Sequence, residues 1–412
     1  MADPEESPSR LRGTLAPLGI SSFRNLMVSN TLWWQSMRME EILIGWLVLE
    51  LTNSAWQVAV VGFFRSIPWL ITGLIAGPLA NRLGRIQLSL IAQGISILVV
   101  VTITLLLWTD RLALWHLWLG VGISGTCWSL NWTARRALMP DLVGKARVVD
   151  AVLLESFASN ISRVVGPFLG GALIAALGAT GCYAAVTGVS TASFLIMLRV
   201  RSPKPSRQAS KASPWALMVE GLKYMRHNQP ILGALLITVI MNYLVFPHQT
   251  LLPVFARDVL GQGPVGLGML GAGSGVGAFV GLYIVNRLRS VLSRGWIFSI
   301  GSIFMALMLF AFSFSTDFQF SIALLILAGL GHACFSVMQS AIVLTSTEDH
   351  MRDRAMGALV LAIGTGPIGR LQIGHLAESF NAPVALSFHA AAAACLVLVA
   401  TAALPGFRKR LD

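Results

Sequence analysis

The chain has 412 residues, 55% hydrophobic and 12% charged, with a net charge of +12 and a mean hydropathy of +0.72. A soluble domain carries about 25% charged residues, so this composition excludes a soluble globular protein. Apolar runs of ~20 residues, each long enough to cross ~30 Å of hydrocarbon, recur from end to end and predict an all-α, multi-pass membrane protein.

Residues 1–22 are polar and lack the apolar core and cleavage site of a signal peptide, so the first span is expected to act as the targeting element. Twelve apolar segments follow, at 23–50, 55–80, 86–108, 113–135, 148–177, 181–199, 231–253, 264–286, 296–315, 318–345, 355–377 and 383–405. The first carries Arg38, Glu40 and Glu41. Arg38 and Glu41 share a helix face with Trp34 and Gly45, whereas Glu40 points elsewhere. Two readings stand: a fixed ion pair that orders the bundle, or a pair whose carboxylate takes up a proton when water reaches it. Ionisable groups inside a membrane are functional by default. Glu41, with Glu40 and Glu155, is therefore a candidate proton carrier, and Arg38 and Trp34 are candidate substrate contacts.

The second segment adds Arg65 and closes on GPLANRLGR (Gly77 to Arg85). Its glycines permit a tight turn and close helix approach, while Arg82 and Arg85 can hold helix ends or acidic partners. Trp128 and Trp132 in the fourth segment, with Trp33 and Trp34, either line a cavity or anchor at the membrane interface. The fifth segment sets Glu155, Ser159, Ser162 and Arg163 along one polar stripe. It continues as VVGPFLGG, in which Pro167 frees a backbone carbonyl and Gly166, Gly170 and Gly171 let a neighbouring helix approach.

Residues 200–230 form the longest connection. It opens with a Pro/Ser/Lys-rich stretch typical of a solvated linker, followed by WALMVEGLKYMRH, which reads as a short amphipathic helix at the membrane surface. The chain thus divides into a segment 1–22, a six-helix half 23–199, the linker 200–230, a second six-helix half 231–405 and a tail 406–412. In the second half, Asn242, Tyr243 and His248 lie on the seventh segment, His332, Ser336 and Gln339 share a stripe on the tenth, and Arg370 lies in the eleventh. His248 and His332 are candidate relays or substrate contacts, as are Asn242, Tyr243, Gln339 and the arginines 65, 163 and 370. The interior arginines slightly outnumber its carboxylates, which suits an anionic or zwitterionic amphiphile.

The halves echo one another. Asn81-Arg82-Leu83 recurs as Asn286-Arg287-Leu288, and Gly166-Pro167 recurs as Gly366-Pro367, each roughly 200 residues later, as expected of a duplicated transporter unit. Arg370 then stands in the place of Gly170. Most basic residues fall in the termini and the even-numbered connections, while Arg111 and Arg257 lie in the opposite ones. By the positive-inside rule both termini are cytoplasmic. The basic balance is topological and implies no nucleic acid.

GAGSGVGA (Gly271 to Ala278) contains G-x-G-x-x-A, but no strand precedes it. Gly273, Gly277 and Gly281 read as a helix-contact ridge instead. GxxxxGK(S/T) and HExxH are absent, and no nucleophile–base constellation is present. No cofactor, metal site or catalytic residue is expected, and ATP-driven transport by this chain alone is excluded. Cys127, Cys182, Cys334 and Cys395 fall in apolar segments without CxxC spacing and read as small hydrophobes.

GPLANRLGR resembles the G-x-L-a-D-R-x-G-R motif of the major facilitator superfamily, with Asn81 where that family usually has Asp; a neutral amide hydrogen-bonds but forms no charged latch. VVGPFLGG is similar to its antiporter motif, with Ser162 in place of the first glycine. WLVLELTNSAWQVAV (Trp46 to Val60), RRALMPDLV (Arg135 to Val143), LLPVFARDVLGQGPVGLGML (Leu251 to Leu270) and DHMRDRAMG (Asp349 to Gly357) resemble its transmembrane secretion effector branch. That branch includes enterobactin-exporter-like and macrolide-efflux-like proteins. The resemblance implies twelve helices in two pseudo-symmetric halves and export, usually driven by protons.

The expectation is a proton-coupled, monomeric exporter of an amphipathic drug, siderophore or secondary metabolite in the cell inner membrane, with membrane lipids as its surroundings. A lipid flippase of the same fold and a non-transporting receptor or assembly subunit are the alternatives.

Overall fold

The computed structural model describes residues 15–144, 147–201, 228–348 and 351–408; the amphipathic helix expected within the linker lies outside them. Among the described residues the protein is helical, without strands. The helices are α1 (Ser21–Thr52), α2 (Ala55–Leu83), α3 (Arg85–Trp108), α4 (Leu114–Val143), α5 and α6 (148–177 and 179–197), α7 (Gln229–Val259), α8 (Pro264–Leu288), α9 (Arg294–Ser313), α10 (Phe318–Ser346), α11 in two pieces (Arg352–Ile363 and Gly366–Ser379) and α12 (Ala382–Ala403).

Local chemistry sets the ends. Gly84, at φ +89°, turns α2 into α3 in a single residue, and Gly178, at φ +68°, separates α5 from α6. Both lie in the left-handed region that a Cβ disfavours. Asn228, Ser293, Asp317 and Asn381 accept a backbone N–H two or three residues into α7, α9, α10 and α12, as N-cap side chains do. Helix α7 widens into π-type turns at Met241–Val245 and Phe255–Val259, each beside a proline (Pro247, Pro253) that cannot donate to the helical ladder.

The chain divides into two compact units that cut across α1 and α2. One comprises Met1–Leu43 with Ile71–Ser210, the other Ile44–Leu70 with Lys211–Asp412. In the first, Phe23, Leu26, Met27, Leu138, Met139, Val143 and Met197 form an apolar core. In the second, α8 and α10 touch through glycines: a Cβ on Gly277 would strike the Ile326 carbonyl, and one on Gly329 would strike the backbone of α8. This is the contact ridge that the glycine spacing predicts, extended by a glycine on the partner helix.

Seven of the described helical stretches are long and apolar enough to cross a membrane by composition alone. Helices α1, α2, α4 and α11, which carry much of the intramembrane charge, fall outside that set. Cys127, Cys182 and Cys334 are buried and Cys395 is exposed on α12; all four thiols are free.

Candidate functional site

In the first unit, Arg38 and Glu41 form an ion pair at 2.8 Å, one helical turn apart on α1. Neither is sealed: the side chains are 19% and 34% exposed. Glu40 is buried on the other face of the helix. Arg163 on α5 is half-buried and within electrostatic reach of both Arg38 and Glu41. The structure therefore gathers two guanidinium groups around one carboxylate.

Glycines on α5 make this proximity possible. A Cβ on Gly166 would collide with the Arg38 side chain, and one on Gly170 would lie 3.2 Å from the Met39 backbone. Pro167 sits inside α5 without ending it, and Gly171 is buried beside it. The VVGPFLGG stretch is thus the bed on which the charged turn of α1 lies.

One to two turns before that charge cluster, Trp34 is buried and its indole N–H donates to Glu155 Oε1 at 3.3 Å. Trp33 and Trp34 of α1 pack with Trp128 and Trp132 of α4 at ring-centroid distances of 5.0–6.4 Å.

Arg135 is the residue that sequence reasoning missed. Its place beside Arg136 at the end of an apolar run reads as a connection, yet α4 continues to Val143 and the side chain is 2% exposed. The guanidinium donates to Asn131 Oδ1 (2.9 Å), Ser29 Oγ (2.9 Å), Ser89 Oγ (3.2 Å) and Asn30 Oδ1. Ser29 and Ser193 exchange hydroxyl-to-carbonyl bonds at 2.8 Å, and Gln93 donates to Ser193 at 2.9 Å. A buried cation satisfied by neutral oxygens ties α1, α3, α4 and α6 together. The only available sequence signal was the set of small polar residues on the facing helices.

Two stretches singled out by sequence meet at the start of α3. Arg85 of GPLANRLGR pairs with Asp141 of RRALMPDLV and donates to the Ala137 carbonyl at 2.5 Å. Arg82 is exposed at the end of α2. The side chains of Gly77 and Asn81 are outside the described set.

In the second unit the candidates lie on α2, α7, α10 and α11. Asn242 Nδ2 donates to the Thr238 carbonyl at 2.9 Å, and Gln339 Nε2 to Thr238 Oγ1 at 3.0 Å, joining α7 to α10. Tyr243 is half-buried, His332 stacks edge-on against Phe246 at 5.3 Å, and buried His248 shares a hydrogen bond with the Val245 carbonyl at 2.8 Å. Arg370 of α11, within electrostatic reach of His248, donates through Nη1 to the Gly62 carbonyl and to Ser66 Oγ, both at 3.0 Å. Arg65 is half-buried on the same stretch of α2.

The α1–α2 connection is capped from the rest of this unit. Arg257 donates to the Leu49 carbonyl (3.0 Å) and Asn53 Oδ1 (2.8 Å), while Glu378 Oε2 accepts from Ser54 Oγ (3.0 Å) and the Trp56 N–H (3.1 Å). A cation meets the C-terminus of α1 and an anion the N-terminus of α2, the arrangement that helix dipoles favour. Among the described residues no group of His, Cys, Asp and Glu is arranged to hold a metal ion.

Residues 12–410 match the family model described as transmembrane secretion effector. The multidrug efflux pump Tap of Mycolicibacterium fortuitum is 24% identical over 344 residues, covering 81% of this chain and 84% of that protein. The enterobactin exporter EntS of Salmonella choleraesuis is 24% identical over 371 residues, covering 88% and 87%. Among solved structures, a POT family transporter in complex with 5-aminolevulinic acid superposes with a TM-score of 0.76 over 95% of this chain and 96% of that one, at 11% identity. That likeness carries the fold: two pseudo-symmetric six-helix halves.

Proposed function

The chain belongs to the transmembrane secretion effector family, and on that premise we propose that it is a secondary active transporter that exports an amphipathic small molecule by alternating access. Similarity to a multidrug efflux pump and to a siderophore exporter supports the direction and the cargo class. Protons drive the export. Both termini face the cytoplasm, as the distribution of basic residues favours.

The observation that carries the coupling is the partly exposed Arg38–Glu41 pair beside Arg163. A carboxylate held between two guanidinium groups stays ionised while they remain near. A proton arriving from the outer side neutralises Glu41 and dissolves its pairing with Arg38, and the rearranged guanidinium groups let go of an anionic part of the cargo. Loss of that proton to the cytoplasm restores the pair and the cargo site, so proton and cargo move in opposite directions. Glu40 and Glu155 are the further carboxylates on the same two helices, and Arg65 and Arg370 set the potential in the second unit.

Glu41→Gln preserves shape and removes the titrating group. In proteoliposomes it should abolish transport driven by a pH gradient while leaving cargo binding within about two-fold, a shift of less than ~0.5 kcal/mol. Undiminished gradient-driven transport by this variant would refute the assignment of Glu41.

A further inference from the structure

Resting on the exporter reading, we propose that the four-tryptophan cluster with Glu155 is a subsite for an organic cation, a protonated amine or flat cationic ring of the cargo, and that Arg136 occupies it when no cargo is bound. Glu155 is 5% exposed, and among the described residues it makes one hydrogen bond, from the Trp34 indole, and no ion pair. A buried carboxylate with a single donor is poorly compensated. A cation is close by: Arg135, one helix away, lies over the Trp33 ring at 5.5 Å. Its donors nevertheless go to the neutral oxygens of Ser29, Asn30, Ser89 and Asn131. A core built only for stability would pair the two charges. Here the buried cation is satisfied elsewhere, and the cation within electrostatic reach of Glu155 is the exposed Arg136.

The surroundings of Glu155 are those that bind cations. Indole rings present a negative face, and a cation within about 6 Å of the ring centroid is attracted to it, more strongly as water is excluded. Trp33, Trp128 and Trp132 are half-buried, whereas Trp34 is enclosed. Trp128 lies roughly parallel to both Trp33 and Trp132, with centroids 6.3 Å away in each case. The Trp132 face is already taken: the exposed Arg136 holds its guanidinium 5.0 Å from that centroid and lies within electrostatic reach of Glu155. Arg136 makes no hydrogen bond among the described residues, so a ligand cation that displaces it has only its ring and electrostatic contacts to replace. It marks where a ligand cation sits.

Two cargo features then follow from one unit. A cationic end sits on Trp132 beside Glu155, and an anionic end meets Arg38 and Arg163. Glu155 and Arg163 are eight residues apart on α5, about 12 Å along the helix. The preferred cargo is an amphoteric molecule whose opposite charges lie about that far apart.

The test uses a matched pair of probes on the purified full-length protein without any gradient: N-methylacridinium, a flat cation, and 9-methylanthracene, its uncharged counterpart. The wild type should bind the cation about ten-fold more tightly than the neutral ring. Glu155→Gln should abolish that preference while leaving the neutral ring within about two-fold, and Arg136→Gln, an exposed change that does not threaten folding, should tighten the cation about three-fold or more. Equal affinity of wild type and Glu155→Gln for the cation, or weaker cation binding by Arg136→Gln, would overturn the proposal. Since binding is read without transport, absence of the preference in a wild type that exports cargo counts against the subsite alone. An intact preference in a protein that exports nothing counts against the exporter reading alone.

Discussion

Helices α5 and α11 carry the same Gly-Pro dipeptide in equivalent places of the two halves and use it differently. In α5 the helix runs unbroken through Gly166 and Pro167, and the glycine is there for contact, because Arg38 occupies the space a Cβ would need. In α11 the helix breaks at Gly364 and Thr365, and Gly366 and Pro367 start the second piece. A Cβ on Gly366 would find its nearest neighbour, the Asn242 carbonyl, at 3.5 Å, which is ordinary contact. Four residues on, the halves diverge again: Gly170 lies against the backbone of Met39, whereas Arg370 reaches across to Gly62 and Ser66. One half uses small residues to admit a charged helix, and the other uses a charge of its own to hold α2. The dipeptide recurs while its physical job differs.

The comparison breaks most visibly at its first glycine. Gly166→Leu should cost about 3 kcal/mol or more through overpacking against Arg38, read as loss of a monodisperse, cooperatively melting protein. Gly366→Ala should leave the melting temperature nearly unchanged, and equal sensitivity at the two sites would dissolve the contrast. Next in size, Arg370→Met removes both donors to α2 and should cost about 2 kcal/mol. The corresponding Gly170→Ala introduces a 3.2 Å contact with Met39 and should cost about 1 kcal/mol. Thermal melts in one detergent rank the pair, and a larger loss at Gly170 would reverse the account. The smallest effects belong to the prolines. Pro167→Ala restores an interior backbone donor and should change stability by about 1 kcal/mol or less. Pro367→Ala, at the first turn of a helix where proline is well tolerated, should change it by under ~0.5 kcal/mol. Amide exchange along α5 and α11 would show whether the restored donor at 167 slows opening locally.

Periodicity and composition made the membrane fold readable, down to the interval between 177 and 181 where Gly178 turns the chain. The Arg38–Glu41 pair was equally legible, since a three-residue spacing on a helix leaves the two side chains adjacent. What was hidden depended on partners distant in sequence. Arg135 reads as one more basic residue at a helix end, because its acceptors come from α1, α3 and α4 and none of them is charged. The grouping of residues 44–70 with the second unit is invisible locally: it rests on contacts such as Arg257 to Leu49 and Glu378 to Trp56, made across two hundred residues or more. The π-type turns of α7 have the same hydropathy as regular helix, and only the prolines hint at them.

The thiols have a practical corollary. Cys127, Cys182 and Cys334 are enclosed, and Cys395 alone is exposed, on α12. Three of the four native thiols are therefore shielded from maleimide and nitroxide reagents. With Cys395 replaced, cysteines introduced on solvated loops can carry spin or fluorescent labels, so distances can be followed through a transport cycle in a nearly native molecule.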